Sequence, residues 1–297
     1  MKELDLRLEK VSKRFGSSFW ALRDISMVLP KGRITALVGE SGSGKSTLGK
    51  IILRLERPTS GRVLLGGMDI FAMGKEYTRM VSVVFQDPTT SLNPRMRVRE
   101  ILEEPLVVHK VKDREKVVVE ALQKVGLDNS FLDRKPHQLS GGQRQRVAIA
   151  RAMALKPAFI VADEPTASLD ASRKRDILDL FVELRSMGTG VLLITHDITA
   201  VKYTADILYV LYRGKLLEYG DKEKLLLEPL HPYTRYLLDH VPARHPSLRS
   251  KGEWTETVPF FDAACPFYSM CRYRKEECER SLREVIVDGR FVACNLY

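Results

Sequence analysis

The nine residues Gly39-Glu-Ser-Gly-Ser-Gly-Lys-Ser-Thr47 constrain this chain more than any others. They fit G-x-x-x-x-G-K-[ST], follow an apolar segment (Ile34–Val38) and open a helical pattern (Leu48–Leu55), the context in which such a loop cradles phosphate. Gly42 and Gly44 let the backbone turn tightly, so successive amide N–H groups point inward at phosphate oxygens. The helix N-terminus adds partial positive charge. Lys45 is placed to reach the β- and γ-phosphates of a nucleotide, and the Ser46 hydroxyl to ligate Mg2+. The candidate nucleotide-binding residues are therefore Gly39, Ser41, Gly42, Ser43, Gly44, Lys45, Ser46 and Thr47.

Such a loop needs a parallel sheet around it. Strand candidates are residues 4–8, Ile25–Leu29, Ile34–Val38, Arg62–Leu65 and Val81–Phe85. Phe159–Ala162 and Val191–Thr195 are apolar runs separated by a helical stretch, Ala171–Met187, which is βαβ alternation. The run from about Glu100 to Val125 is helical in pattern and falls in a helical insert over about 90–155. The expected fold is an α/β P-loop NTPase: a parallel sheet with a small antiparallel β subdomain, a helical subdomain insert and a cysteine-containing C-terminal extension. Prolines multiply after about residue 220, so the chain is divided into a cassette over 1–225 and a separate accessory module over 226–297.

Two further segments carry chemistry. Phe159–Asp170 reads FIVADEPTASLD, a buried strand delivering carboxylates at its C-terminal edge, where ligands sit in open α/β sheets. Asp163 is expected in the Mg2+ shell, and Glu164 is placed to orient or deprotonate an attacking water. Leu139–Arg146 reads LSGGQRQR, in which Ser140, Gly141 and Gly142 begin a helix. That start is a second phosphate-binding dipole without a lysine. One chain has no need of two cradles for one γ-phosphate, so this one is expected to complete the site of a partner chain.

With these three motifs in this order, the chain resembles the ATP-binding cassette ATPases over roughly residues 3–225. The resemblance implies that Phe15 stacks on adenine, that Gln86 contacts Mg2+ and the water, and that His196 is the switch histidine at the γ-phosphate. It makes Leu139, Ser140, Gly141, Gly142 and Gln143 the signature facing the partner's ATP, and Ser168, Leu169 and Asp170 the loop crossing the dimer interface. Every catalytic position of the family is intact. The implied mechanism is head-to-tail closure of two cassettes around two ATP molecules, with hydrolysis reopening the dimer and moving attached membrane helices.

FQDPTTSLNPRMRV (85–98) and HPYT (231–234), the latter followed by a cysteine-bearing tail, resemble the oligopeptide and dipeptide importers. That group implies two transmembrane permease subunits, a second and non-identical ATPase, and an extracytoplasmic solute-binding protein. Its cargoes include peptides, oligosaccharides and nickel, and the sequence does not choose among them. The chain has no run approaching the roughly 20 apolar residues of a membrane span. A charged N-terminus without an apolar signal core places it at the cytoplasmic face of the membrane as a peripheral subunit. The net charge of +10 is spread along the chain without a basic block, which reads as a solvated surface and not a nucleic-acid site. A soluble cassette ATPase accessory to carbon–phosphorus cleavage is the alternative.

All four cysteines lie in the tail: Cys265, Cys271, Cys278 and Cys294. In a cytosolic protein such a cluster is more often a metal site than disulfides. Spacing alone does not separate zinc from an iron–sulfur cluster. The resemblance to the importer extension favours a [4Fe–4S] cluster that staples the tail.

Overall fold

The computed structural model describes residues 4–239 and 263–297. Twelve strands run through the described residues: Leu6–Phe15 (β1), Phe19–Leu29 (β2), Ile34–Val38 (β3), Ser60–Leu65 (β4), Met68–Asp69 (β5), Val81–Val84 (β6), Phe159–Asp163 (β7), Gly190–Ile194 (β8), Ile207–Tyr212 (β9), Lys215–Asp221 (β10), Glu284–Val287 (β11) and Arg290–Ala293 (β12). They form a four-stranded sheet, β2-β1-β4-β5, and an eight-stranded sheet, β11-β12-β10-β9-β3-β8-β7-β6.

The parallel heart of the larger sheet explains the apolar runs. Alternate residues of a strand face opposite sides of a sheet. In β3, Ile34, Ala36 and Val38 pack into one core while Leu37 packs into another. β7 divides in the same way, with Ile160 and Ala162 on one side and Phe159 and Val161 on the other. β8 sends Val191 and Leu193 one way and Leu192 and Ile194 the other. A strand buried on both faces has no polar alternation, so continuous hydrophobicity marks parallel pairing here. β3 lies between β8 and β9, with Ala36 opposite Leu193 and Leu208. One core lies under the antiparallel sheet and the helix Lys45–Ile52; the other holds the helical insert and the tail.

The structure differs from expectation where backbone irregularity hides the period. β1 runs on to Phe15 and β2 begins at Phe19, because register shifts between Leu8 and Phe15 break the alternation; Lys10 and Asp24 both sit at positive φ. The helical run 100–125 is two helices, Val98–Val108 and Arg114–Lys124, parted where Lys110 and Asp113 adopt left-handed conformations.

The described residues of the tail pair and pack with the cassette. β12 pairs antiparallel with β10, Glu218 opposite Val292 and Tyr219 opposite Phe291, and the rings of Tyr209, Tyr219 and Phe291 stack at 4.7 and 4.9 Å. Phe267 is fully buried against Tyr212, Tyr233 and Tyr236 and belongs to the same core as β3. The buried Glu218 carboxylate accepts the N–H groups of Leu230 and His231, both at 2.9 Å, tying the HPYT segment to β10. No helix among the described residues is long and apolar enough to cross a membrane. Truncation of the anchor ring in Phe267→Ala is expected to cost about 3–5 kcal/mol, through lost burial and the cavity left behind. Urea denaturation of the full chain checks this, and an unchanged midpoint would show that the tail contributes nothing to the core.

Candidate functional site

The parallel strands deliver their functional residues at one edge, each just past a C-terminal end. β3 leads into the loop 39–44. There Gly39 sits at φ 156°, and a Cβ would lie 2.1 Å from the Leu211 carbonyl oxygen. Gly44 sits at φ 109°, and a Cβ there would lie 2.5 Å from the Ala21 carbonyl oxygen. Both positions thus exclude any side chain. The loop opens the helix Lys45–Ile52, which leaves its first amide N–H groups free for a ligand.

Lys45 is folded back over the loop. Its ammonium donates to the carbonyls of Gly39 at 2.7 Å and Glu40 at 2.8 Å, and to Ser43 Oγ at 3.4 Å. Burial holds its pKa below the ordinary lysine range, opposed by the charges of Glu164, Asp163 and Glu40. Ser46 Oγ donates to Asp163 Oδ1 at 3.4 Å, which brings the two expected Mg2+ ligands together. Burial raises the Asp163 pKa, the Ser46 hydrogen bond opposes this, and the charge of Glu164 adds to it.

Glu164 occupies a left-handed conformation, φ 47°, which costs a non-glycine residue on the order of 1–2 kcal/mol. Its N–H donates to the Ile194 carbonyl at 2.8 Å, so the end of β8 holds it there. Its carboxylate meets His196 Nδ1 at 2.8 Å and accepts from Thr195 Oγ1 at 3.4 Å. Backbone strain at a strand end with a carboxylate so braced marks a functional position.

Ser41, Gly42, Gly44, Lys45, Ser46, Thr47, Gln86, Glu164 and His196 line one open cleft, with Glu40, Ala21 and Phe19. Gly39 and Ser43 lie against it through Lys45, and Asp163 through Ser46. The expected adenine partner, Phe15, lies at the mouth of the β1–β2 hairpin, paired across it with Phe19. Phe19 lines the cleft and is 61% exposed, whereas Phe15 is its cross-strand neighbour and does not line it. The signature residues Leu139–Gln143 and the loop Ser168–Asp170 lie outside the lining. Each begins a helix. Ser140 Oγ accepts the Gln143 N–H at 3.3 Å while Gln143 Oε1 accepts the Ser140 N–H at 2.9 Å, a reciprocal cap. Asp170 Oδ1 accepts the Arg173 N–H at 3.0 Å. A Cβ on Gly141 would meet nothing within 4 Å, leaving that helix start open to approach.

Reasoning from sequence missed one connection. The Tyr233 hydroxyl accepts the Glu40 N–H at 3.1 Å, and the Glu40 carbonyl holds Lys45. Its signal was HPYT itself, noticed only as a resemblance. Within that segment His231 is wholly buried, which holds its imidazole down to about 3. It is therefore neutral, and its Nδ1 accepts the Tyr233 N–H at 2.9 Å, fixing the hydroxyl's approach to the loop.

The four cysteines are free thiols lining one small cavity beside His231. Cys265, Cys271 and Cys294 are buried, and burial pushes Cys265 up to about 12 and Cys271 up to about 11. Among the described residues no three His, Cys, Asp or Glu side chains converge as a ready metal-ligand set.

The comparisons with known proteins agree with this geometry. A family described as ABC transporter matches residues 22–167, and one described as the C-terminal region of oligopeptide/dipeptide transporters matches 217–278. The chain is 40% identical to the di/tripeptide transport ATP-binding protein DppF of Pseudomonas aeruginosa, over 93% of this chain and 89% of that one. It is 39% identical to the oligopeptide transport ATP-binding protein AppF of Bacillus subtilis, over the same shares of each. Among solved structures, the MJ0796 cassette dimer bound to ADP and Pi aligns with a TM-score of 0.66 at 32% identity, over 73% of this chain and 98% of that one. CbiO1 of Clostridium perfringens aligns at 0.70 and 31%, over 76% and 92%. With a phosphate loop, a braced carboxylate at the strand ends and relatives that match across nearly its whole length, this chain belongs to the ATP-binding cassette ATPases, in the oligopeptide/dipeptide transport group.

Proposed function

We propose that this chain drives import of peptides, hydrolysing ATP at the cytoplasmic face of a membrane against two permease subunits. The observation that carries this is the single cleft joining Lys45, the Ser46–Asp163 pair and the Glu164–His196 pair, in a chain whose tail matches the peptide-transporter C-terminal region. The relatives named above are peptide proteins, which favours peptides over oligosaccharides or nickel. A second cassette, most simply a non-identical sister, supplies its own Ser-Gly-Gly helix start, since Leu139–Gln143 of this chain lie outside its own cleft. A solute-binding protein outside the membrane delivers the cargo.

The residues divide the work by their surroundings. Lys45 exchanges main-chain carbonyls for phosphate oxygens, and the amides from Gly39 to Thr47 wrap the same phosphates. Ser46 and Asp163, with Gln86, would hold Mg2+, which would supply neutralisation of phosphate charge. Glu164, fixed by β8, takes a proton from the attacking water, and His196 holds the carboxylate and reports the γ-phosphate. The nearby ring pair Phe15 and Phe19 offers the base a stacking face. Ser168, Leu169 and Asp170 face the partner cassette.

The Cys265, Cys271, Cys278 and Cys294 thiols have the number a four-thiolate centre needs and line one cavity, although no three of them converge as a ready ligand set. We assign them a [4Fe–4S] cluster that ties the tail together, with zinc as the rival occupant.

Glu164→Gln is expected to lower turnover at least about 100-fold while ATP still binds. Lys45→Ala is expected to lose nucleotide affinity. Ordinary steady-state hydrolysis by Glu164→Gln in the assembled complex overturns the proton assignment. Tyr233→Phe keeps the ring packing and removes the acceptor for Glu40, a change of about 1 kcal/mol that weakens ATP binding roughly fivefold. Nucleotide titration checks it, and unchanged affinity refutes the link. An anaerobic pull-down from native membranes is expected to retain two permeases and a sister ATPase, with iron and sulfide in the purified chain. Soluble partners alone refute the importer reading, and zinc in place of iron refutes the cluster.

A further inference from the structure

A second hollow lies at the other end of the parallel strands. Its lining includes residues 31, 79–80, 156–158 and 187–189, which immediately precede β3, β6, β7 and β8, whereas the nucleotide cleft follows the same strands. The hollow spans the helical insert and the core, with a volume of about 580 Å3, inside the roughly 300–1,000 Å3 of small-molecule sites. Four cations line it: Lys31, Arg79, Lys124 and Lys156. No carboxylate lines it, Glu120 belonging to a smaller adjoining cavity. All four cations are solvent-exposed, and none is ion-paired among the described residues; Lys124 Nζ instead rests 3.6 Å from Met187 Sδ across the hollow. Met153 and Met187 supply an apolar, polarisable floor.

Four uncompensated positive charges around a concave wall concentrate an anion of matching charge. The floor adds preference for an apolar or aromatic body attached to that anion. We propose that this hollow is a regulatory site for a phosphorylated small molecule carrying an aromatic body, of the class of a purine nucleotide. Phosphates sit among the cations and the ring lies on the methionines. The regulatory consequence comes from the helix Gly141–Met153. Its first turn carries the signature residues, and its last residue forms the wall of this hollow. A ligand tying Lys124 and Met153 to Lys31 and Met187 fixes the insert against the core, and with it the helix start offered to the partner cassette.

The test is equilibrium dialysis of radiolabelled GDP with the full chain, its phosphate loop saturated with ADP and Mg2+. Binding of one GDP per chain is expected, weakened at least about tenfold in Lys124→Glu/Lys156→Glu, with ADP affinity unaltered. Lys124→Gln/Lys156→Gln gives the same direction, should charge reversal disturb the fold. A parallel arm uses phosphatidylglycerol vesicles, which present the same phosphate chemistry on a lipid. No GDP binding, or GDP binding indifferent to both pairs of substitutions, overturns the site. Vesicle binding that depends on Lys124 and Lys156 without any GDP binding overturns the small-molecule assignment in favour of a lipid headgroup.

Discussion

Lys45 carries a full positive charge to a place where only 7% of its surface meets water, and its neighbours are arranged around that fact. An ammonium out of water is stable only when its protons are taken up. Here the takers are the carbonyls of its own loop, which forces that loop into a closed ring around it. The ring closes only because Gly39 and Gly44 press against the backbone of β9 and β2, where no side chain fits. The loop therefore depends on the sheet, and the sheet on strands buried from both faces. Removing the charge would free the loop's carbonyls and undo the reason for its shape.

The same loop is held from a second direction. Tyr233 accepts the Glu40 N–H, and a buried, neutral His231 sets the backbone that presents Tyr233. Glu218 in β10 fixes that segment in turn. Phe267, two residues past Cys265, packs on the Tyr233 ring at 5.3 Å between centroids. Contacts thus run without a break from the cysteine cavity to the phosphate loop, so the state of one end bears on the geometry of the other.

What the sequence disclosed divides along physical lines. The phosphate loop, the β7 carboxylates and the capped signature helix were legible because each is a local arrangement within a dozen residues. The parallel strands were legible because burial on both faces leaves unbroken apolar runs. The full length of β1 was hidden by register shifts, and the break between Val108 and Arg114 by two left-handed residues that carry no glycine signature. The Tyr233–Glu40 bond joins residues 193 apart, and the pairing of β12 with β10 is similarly remote. No periodicity announces such contacts. That Phe19 lines the cleft was hidden because its place depends on its pairing with Phe15 across the hairpin, which no period of the sequence announces.

Adding β12 to β10 also moves the rim of the sheet. Without it, β10 would present a row of unsatisfied backbone donors and acceptors, a template onto which another chain can pair. With it, the outermost strand is β11, only four residues long, beginning with Glu284 and exposing Ile286. A border this short offers few backbone groups for edge-to-edge pairing. The hairpin is thus a guard against aggregation built from the last turn of the chain, and its loss would threaten solubility before it threatened catalysis.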